Sequence, residues 1–297
     1  MSIHAWARRC GAGLFVLVAL VLAAVPVRAA ITTLSAAIAG ARAPEDLLKV
    51  GGTMEAAGVW HSLAYVAGRP GAATAPSPGL AGAALTSYAG QIPFTNPTGG
   101  ANSYVFRFDC TGSLAGKCKL IDRLWHNSGI TVTTTTAQTV NSATWPARDK
   151  NGTTDGAGVM VAIEVSTATT NGSAIANTTL SYTDQDGNTG NTATIASFPA
   201  TAAAGTFVPF LLAAGDTGVR SIQSVTLGTS YGGGTIHLVA YRDLTEDTTA
   251  IANVSIGRDA ITSGFTRLFD NTVPFLLWLP TATTAITING RLIVTQG

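Results

Sequence analysis

Charge is what this chain has least of. Asp, Glu, Lys and Arg make up 11% of its 297 residues, against roughly 25% in an ordinary soluble domain. The formal net charge is +1, so the basic footprint of a nucleic-acid-binding domain is absent. Cysteine is equally scarce, with three in all. Cys10 sits in an N-terminal extension, and the remaining two cannot complete a structural zinc site without His or carboxylate help. The chain has no phosphate-cradling glycine loop, no H-x-H or H-E-x-x-H spacing and no carboxylates paired at an informative distance. The motif-based routes to an enzyme or a cofactor site therefore fail, and the sequence reads as a non-enzymatic chain with no cofactor and no metal site.

What is present is a β alphabet. From Ser103 to Arg242 short runs rich in β-branched residues alternate with turns of Gly, Asn, Asp and Thr. Ile130 to Thr136 reads I-T-V-T-T-T-T, Gly158 to Ser166 reads G-V-M-V-A-I-E-V-S, and Gly234 to Arg242 reads G-T-I-H-L-V-A-Y-R. Strands are expected near 103–109, 118–126, 130–136, 158–166, 178–183, 191–197, 205–212, 219–229 and 234–242, with a final pair at 274–280 and 285–295. Even spacing with turn signals between runs predicts a mainly β chain with an antiparallel β-sandwich or jelly-roll-like body. The turn Asp184-Gln185-Asp186-Gly187-Asn188 is a strong hairpin signal.

Four segments follow from this reading. Residues 1–30 carry Arg8-Arg9, an apolar run from Gly11 to Val25 and a small-residue exit, the grammar of a secretory signal. The alternative is a start codon assigned too far upstream, with the true protein beginning near Ile31, and the apolar run is shorter than the ~20 residues of a membrane-spanning helix. Residues 31–100 read as a helix and an extended arm. The helix spans Thr33 to Val50, restarting after Pro44 with Glu45-Asp46 in its first turn. The arm, rich in Gly, Ala and Pro, carries isolated bulky residues that need a surface to lie on. Residues 101–245 form the sandwich core, and 246–297 a linker and the C-terminal strand pair.

Candidate chemistry is thin. The Asp184–Asn188 oxygens resemble the start of a calcium loop, but the closing Glu is missing, which favours a solvated turn. Arg148-Asp149-Lys150 reads as a charged turn. His61, His126 and His237 sit beside apolar or aromatic residues, as packed histidines do. Glu164, inside V-A-I-E-V, is expected on a solvent or subunit face. Cys110 and Cys118 flank a seven-residue hairpin loop and can form a cross-strand disulfide if their Cβ atoms face each other, with two free thiols as the alternative. The string Arg123-Leu124-Trp125-His126-Asn127-Ser128 is echoed weakly by Arg267-Leu268-Phe269-Asp270-Asn271-Thr272.

Longer strings carry a resemblance: Asp122 to Ile130 (D-R-L-W-H-N-S-G-I), Trp145 to Asp149 (W-P-A-R-D), Gly215 to Ser224, Ile236 to Arg242, and the tail Val273 to Pro280. From about Thr32 to the C-terminus the chain resembles a group of tailed-phage and prophage virion proteins encoded near head genes. The resemblance implies a structural protein in the virion, a head decoration or minor capsid component, and transfers no catalytic residue. It also implies partners: copies of itself in a homo-oligomer, a trimer among the arrangements, and virion proteins such as the major capsid protein. Nucleic acid and, in the mature form, membrane are not among them. The interface candidates are Trp60, Leu63, Tyr65 and Phe94 on the arm and Phe275 and Trp278 on the last apolar run, for which a core strand is the competing assignment. Two other readings stand beside this one. A receptor- or glycan-binding tail or fibre protein would use Trp145 and Tyr231 as platforms. A secreted bacterial surface protein would take the signal-like start at face value.

Overall fold

The computed structural model describes residues 31–54 and 57–297; the signal-like segment 1–30, with Cys10, lies outside the described residues. The chain is mainly β and its strands are antiparallel. Its central sheet closes on itself. The strands Thr235–Ile251, Val159–Thr167, Thr206–Pro209, Trp60–Ser62, Pro274–Pro280 and Gly116–His126 pair in that order, and the last pairs back onto the first to complete a six-stranded barrel. An open sandwich sheet and a closed barrel share the same side-chain period of two, so strand spacing does not tell them apart.

Two open sheets pack against different stretches of the barrel wall. One holds Ser103–Gly112, Ile286–Gln296 and Glu45–Gly52, with the short pieces Gly68–Arg69, Arg258–Asp259 and Arg267–Leu268. The other holds Asn191–Phe198, Ile175–Asp184, Val219–Thr226 and Gln138–Thr139. This layering explains why V-M-V-A-I-E-V is a continuous apolar run. Val159, Val161, Ile163 and Val165 point outward onto Leu180, Tyr182 and Phe198 of the second sheet. Ala162 turns inward among Ile121, Phe207, Val239, Tyr241, Phe275 and Leu277. Both faces are buried, and each such aliphatic side chain contributes about 1.5–3 kcal/mol.

Several expectations change. The helix is only Leu34–Ala39, capped by the Thr33 hydroxyl. The helix ends at Gly40, where a side chain would collide with the backbone of Gln296. Glu45–Gly52 is a strand, paired with Ile286–Gln296 on one side and Gly68–Arg69 on the other. The stretch between Pro44 and Gly51 is too short to hold a helix on its own, while pairing satisfies its backbone and buries Leu47. The run 130–136 is not a strand: Gln138 takes its place as partner, accepting from Thr131 N at 2.8 Å and donating to Thr131 O at 3.0 Å. Thr235–Ile251 runs nine residues past Arg242, across the proposed boundary at 245, because it stays paired with Gly116–His126 down to Gly116, with Asp243 and Glu246 meeting Lys119 and Lys117 along the way. The Asp184–Asn188 hairpin is present, joining Ile175–Asp184 to Asn191–Phe198.

The arm belongs to the body. Its Trp60–Ser62 piece is one of the barrel strands and Ala83–Ala84 pairs with the barrel's Gly116–His126 strand. Leu63 and Trp278 are buried in the core between barrel and first sheet, and Phe275 in the barrel interior. These three interface candidates are therefore core residues. Trp60, Tyr65 and Phe94 are half-buried.

Cys110 and Cys118 form a disulfide with their Cα atoms 6.1 Å apart. It is not a bond within one hairpin, because Ser103–Gly112 belongs to the first open sheet and Gly116–His126 to the barrel. The bond ties the two together. Replacing both cysteines by serine is expected to lower stability by about 2–3 kcal/mol, the loop-closure entropy of so short a loop. Urea unfolding of the double variant measures this; an unchanged midpoint would mean that packing alone holds the junction.

Candidate functional site

The polar chemistry of the chain is concentrated inside the barrel. Alternation along Val159–Thr167 that sends Ala162 inward also sends Glu164 inward, against the expectation of a solvent or subunit face. Its carboxylate is paired with Arg123 of Gly116–His126, a strand separated from Val159–Thr167 in the wall by Thr235–Ile251: Nη1 to Oε1 at 3.0 Å and Nη2 to Oε2 at 2.7 Å. The two side chains are 2% and 0% exposed. Tyr65 adds a third hydrogen bond, its hydroxyl donating to Oε2 at 2.9 Å. The guanidinium lies over the rings of Tyr88 and Phe275, 5.7 Å from each centroid.

Electrostatics fix the protonation states. Burial alone would raise the Glu164 pKa, but Arg123 outweighs it and holds the carboxyl below its ordinary range. Burial would likewise lower the arginine, and Glu164 holds it up. Tyr65 is pushed far above the phenol range by burial and then by Glu164, so it remains a donor. A carboxylate with both oxygens occupied and no tendency to take up a proton is a poor acid or base. The arrangement is a brace.

Two histidines adjoin it. His126 meets Tyr88 edge-on with ring centroids 4.6 Å apart. His237 places Nδ1 2.9 Å from the Asn127 carbonyl and Nε2 2.8 Å from the Ser166 hydroxyl. That hydroxyl–imidazole–acceptor order resembles a nucleophile, base and orienting group. Here the third member is a backbone carbonyl rather than a carboxylate, and burial lowers the His237 pKa. An imidazolium is disfavoured, so the pair serves to satisfy the ring.

The same burial, then Arg123, takes the His126 pKa from its ordinary 6.5 down to about 3. The unfolded chain thus binds a proton first as pH falls. The stability contributed by the neutral ring is fully present above pH 6.5 and is lost as pH falls toward 3. His237 acts in the same direction, and Glu164 adds a loss below the usual carboxylate range. Unfolding midpoints should therefore fall as pH is lowered from about 7 to about 4, and His126→Gln should flatten the slope. A pH-independent midpoint over that range would show that the barrel end admits water.

A second buried pair backs the first. Arg148 donates from Nε and Nη2 to Asp122 at 3.0 and 3.2 Å and from Nη1 to the Leu85 carbonyl at 2.7 Å. Asp149 accepts the backbone N–H groups of Asn151, Thr153, Gly156 and Ala157. The expected charged surface turn has its first two residues buried. Asp184 does lie in a turn, its carboxylate accepting from the backbone of Asp186 and Asn188. Trp145 and Tyr231, the possible glycan platforms, are fully buried, with Trp145 donating to the Val219 carbonyl at 2.6 Å. Among the described residues no three His, Cys, Asp or Glu side chains gather as metal ligands, and no helix is long and apolar enough to cross a membrane.

The sequence reading placed Tyr88 among the bulky anchors of the arm, Arg123 in an echoed string and Arg148 in a charged turn, but joined none of them to Glu164 or Asp122 in a buried charged cluster. The available signal was an acid in one apolar strand, V-A-I-E-V, and a base in another, L-I-D-R-L-W; each needs a counter-charge if both strands are buried. Comparison of the chain with family models, with curated proteins and with solved structures found no match.

Proposed function

We propose that this chain is a structural subunit of a tailed-phage particle, a head decoration or minor capsid protein that acts through contacts with its own copies and with the major capsid protein. The observation that carries the reading is where large apolar side chains remain exposed. Leu34, Ile38, Leu48 and Val50 form one run and Ile251, Val254, Ile256, Ile261 and Phe265 another. Both runs lie in the first open sheet or in segments adjoining it, and clustered exposed apolar groups mark protein–protein contact. Leu211, the most exposed large apolar side chain among the described residues, lies apart from them, bridged to Thr194 of the second sheet. A low-charge surface suits close neighbours, and the barrel supplies a rigid body whose polar groups are spent on internal bracing. Immunogold electron microscopy of intact particles with antibody against this chain tests the reading. Gold on heads supports it; gold on tail tips alone would favour a fibre protein, and unlabelled particles would remove the chain from the virion.

One observation favours a secreted surface protein instead. The Cys110–Cys118 disulfide is a bond that persists in oxidising compartments, and it fits a chain exported by a signal-like start. The fibre reading has lost its aromatic platforms to the core.

A further inference from the structure

A groove of about 520 Å³ opens between the turn at 146–152 and the segment 267–271. Arginine is concentrated beside it. Arg148 is neutralised by Asp122, and the Asp149 carboxylate is taken up by the backbone N–H groups of its own turn. Arg242 is 5% exposed; it donates from Nη2 to the Arg267 carbonyl at 2.8 Å, and its Nε has no acceptor. Arg267 lines the groove. Its guanidinium sits 5.2 Å from the Phe269 ring and 5.4 Å from the Tyr104 ring, and Arg242 covers Phe269 at 5.1 Å. The Arg267 Nε is also buried without an acceptor, and among the described residues no carboxylate lies within ion-pair distance of this guanidinium. Asp270 lines the groove too, and already has an interaction of its own.

We propose that this groove is an oxyanion site, taking a carboxylate or phosphate group on a small molecule, with the Arg267 guanidinium as the receiving cation and Asn151 and Thr86 at the rim. The Nε is closed off from solvent, whereas the two Nη groups are neither buried nor engaged in a hydrogen bond, and it is through them that an anion in the groove meets a charge with no ion-pair partner. The planar guanidinium matches two oxygens at once. Stacking against two rings holds it in place beforehand, so binding costs little side-chain entropy.

The test is an NMR titration that follows the backbone amide resonances of the groove-lining Asn151, Gly152 and Asn271 at constant ionic strength. Sodium phosphate is the probe in one arm and sodium galacturonate in the other. A saturable shift is expected in at least one arm, and the arm that saturates identifies the anion as phosphate or sugar carboxylate. Arg267→Gln should abolish saturation, Arg267→Lys should weaken binding about tenfold by losing the planar fork, and Arg291→Gln, in an exposed pair with Asp46, should leave it unchanged. Two results would overturn the site: shifts that stay linear in both arms, or saturable binding that survives in Arg267→Gln. If Arg267→Gln does not fold, the lysine variant and the wild-type titration decide.

Discussion

Replacing Glu164 by alanine is expected to destabilise the fold by about 3–5 kcal/mol, because it leaves a buried arginine without its counter-charge. Arg123 would keep its place between Tyr88 and Phe275, and Tyr65 would lose the acceptor of its hydroxyl. The pair itself is worth far less than the penalty for breaking it, since burying two charges costs about as much as their attraction returns. A double variant, Arg123→Met with Glu164→Leu, should therefore recover most of the loss. Denaturant unfolding followed by tryptophan fluorescence separates the cases. A single variant within about 1 kcal/mol of wild type would mean that water reaches the barrel interior and solvates the arginine.

Trp278→Ala should cost a similar amount, about 3–5 kcal/mol. The indole is fully buried between barrel and first sheet. Gly112 and Gly116 lie against it so closely that a Cβ at either would collide with the ring. Both glycines lie inside the loop that the disulfide closes, so the ring and the bond hold the same junction. Its Nε1 is buried without a partner, so Trp278→Phe, which keeps a ring and removes that N–H, should cost much less than alanine. If instead the alanine variant folds normally and fails only to oligomerise, Trp278 belongs to an interface after all.

The sequence made the strands legible and their closure illegible. Pro274–Pro280 stands at its expected limits, and Ser103–Gly112, Val159–Thr167 and Asn191–Phe198 lie within a few residues of theirs. Local alternation and turn residues were enough for those. Whether a sheet closes depends on pairings such as Thr235–Ile251 with Gly116–His126, which join residues far apart in the chain and leave no local mark. The same limit hid the site. Glu164 read as surface because acids in strands usually are; Arg123, the residue that makes its burial tolerable, lies on another strand. Trp60 read as part of an arm because Gly and Pro around it break any period, yet three residues there suffice to bridge the strands Thr206–Pro209 and Pro274–Pro280. The 130–136 run shows the converse, strong β propensity without a partner strand.

The most direct measurement of the structural-subunit reading is quantitative peptide mass spectrometry on density-gradient-purified particles from an induced or infected host, with the culture supernatant as control. The account predicts peptides of this chain in the particle band at a constant, stoichiometric ratio to the major capsid protein. Recovery only as free protein in the supernatant would contradict it and leave the disulfide-stapled barrel as a secreted protein.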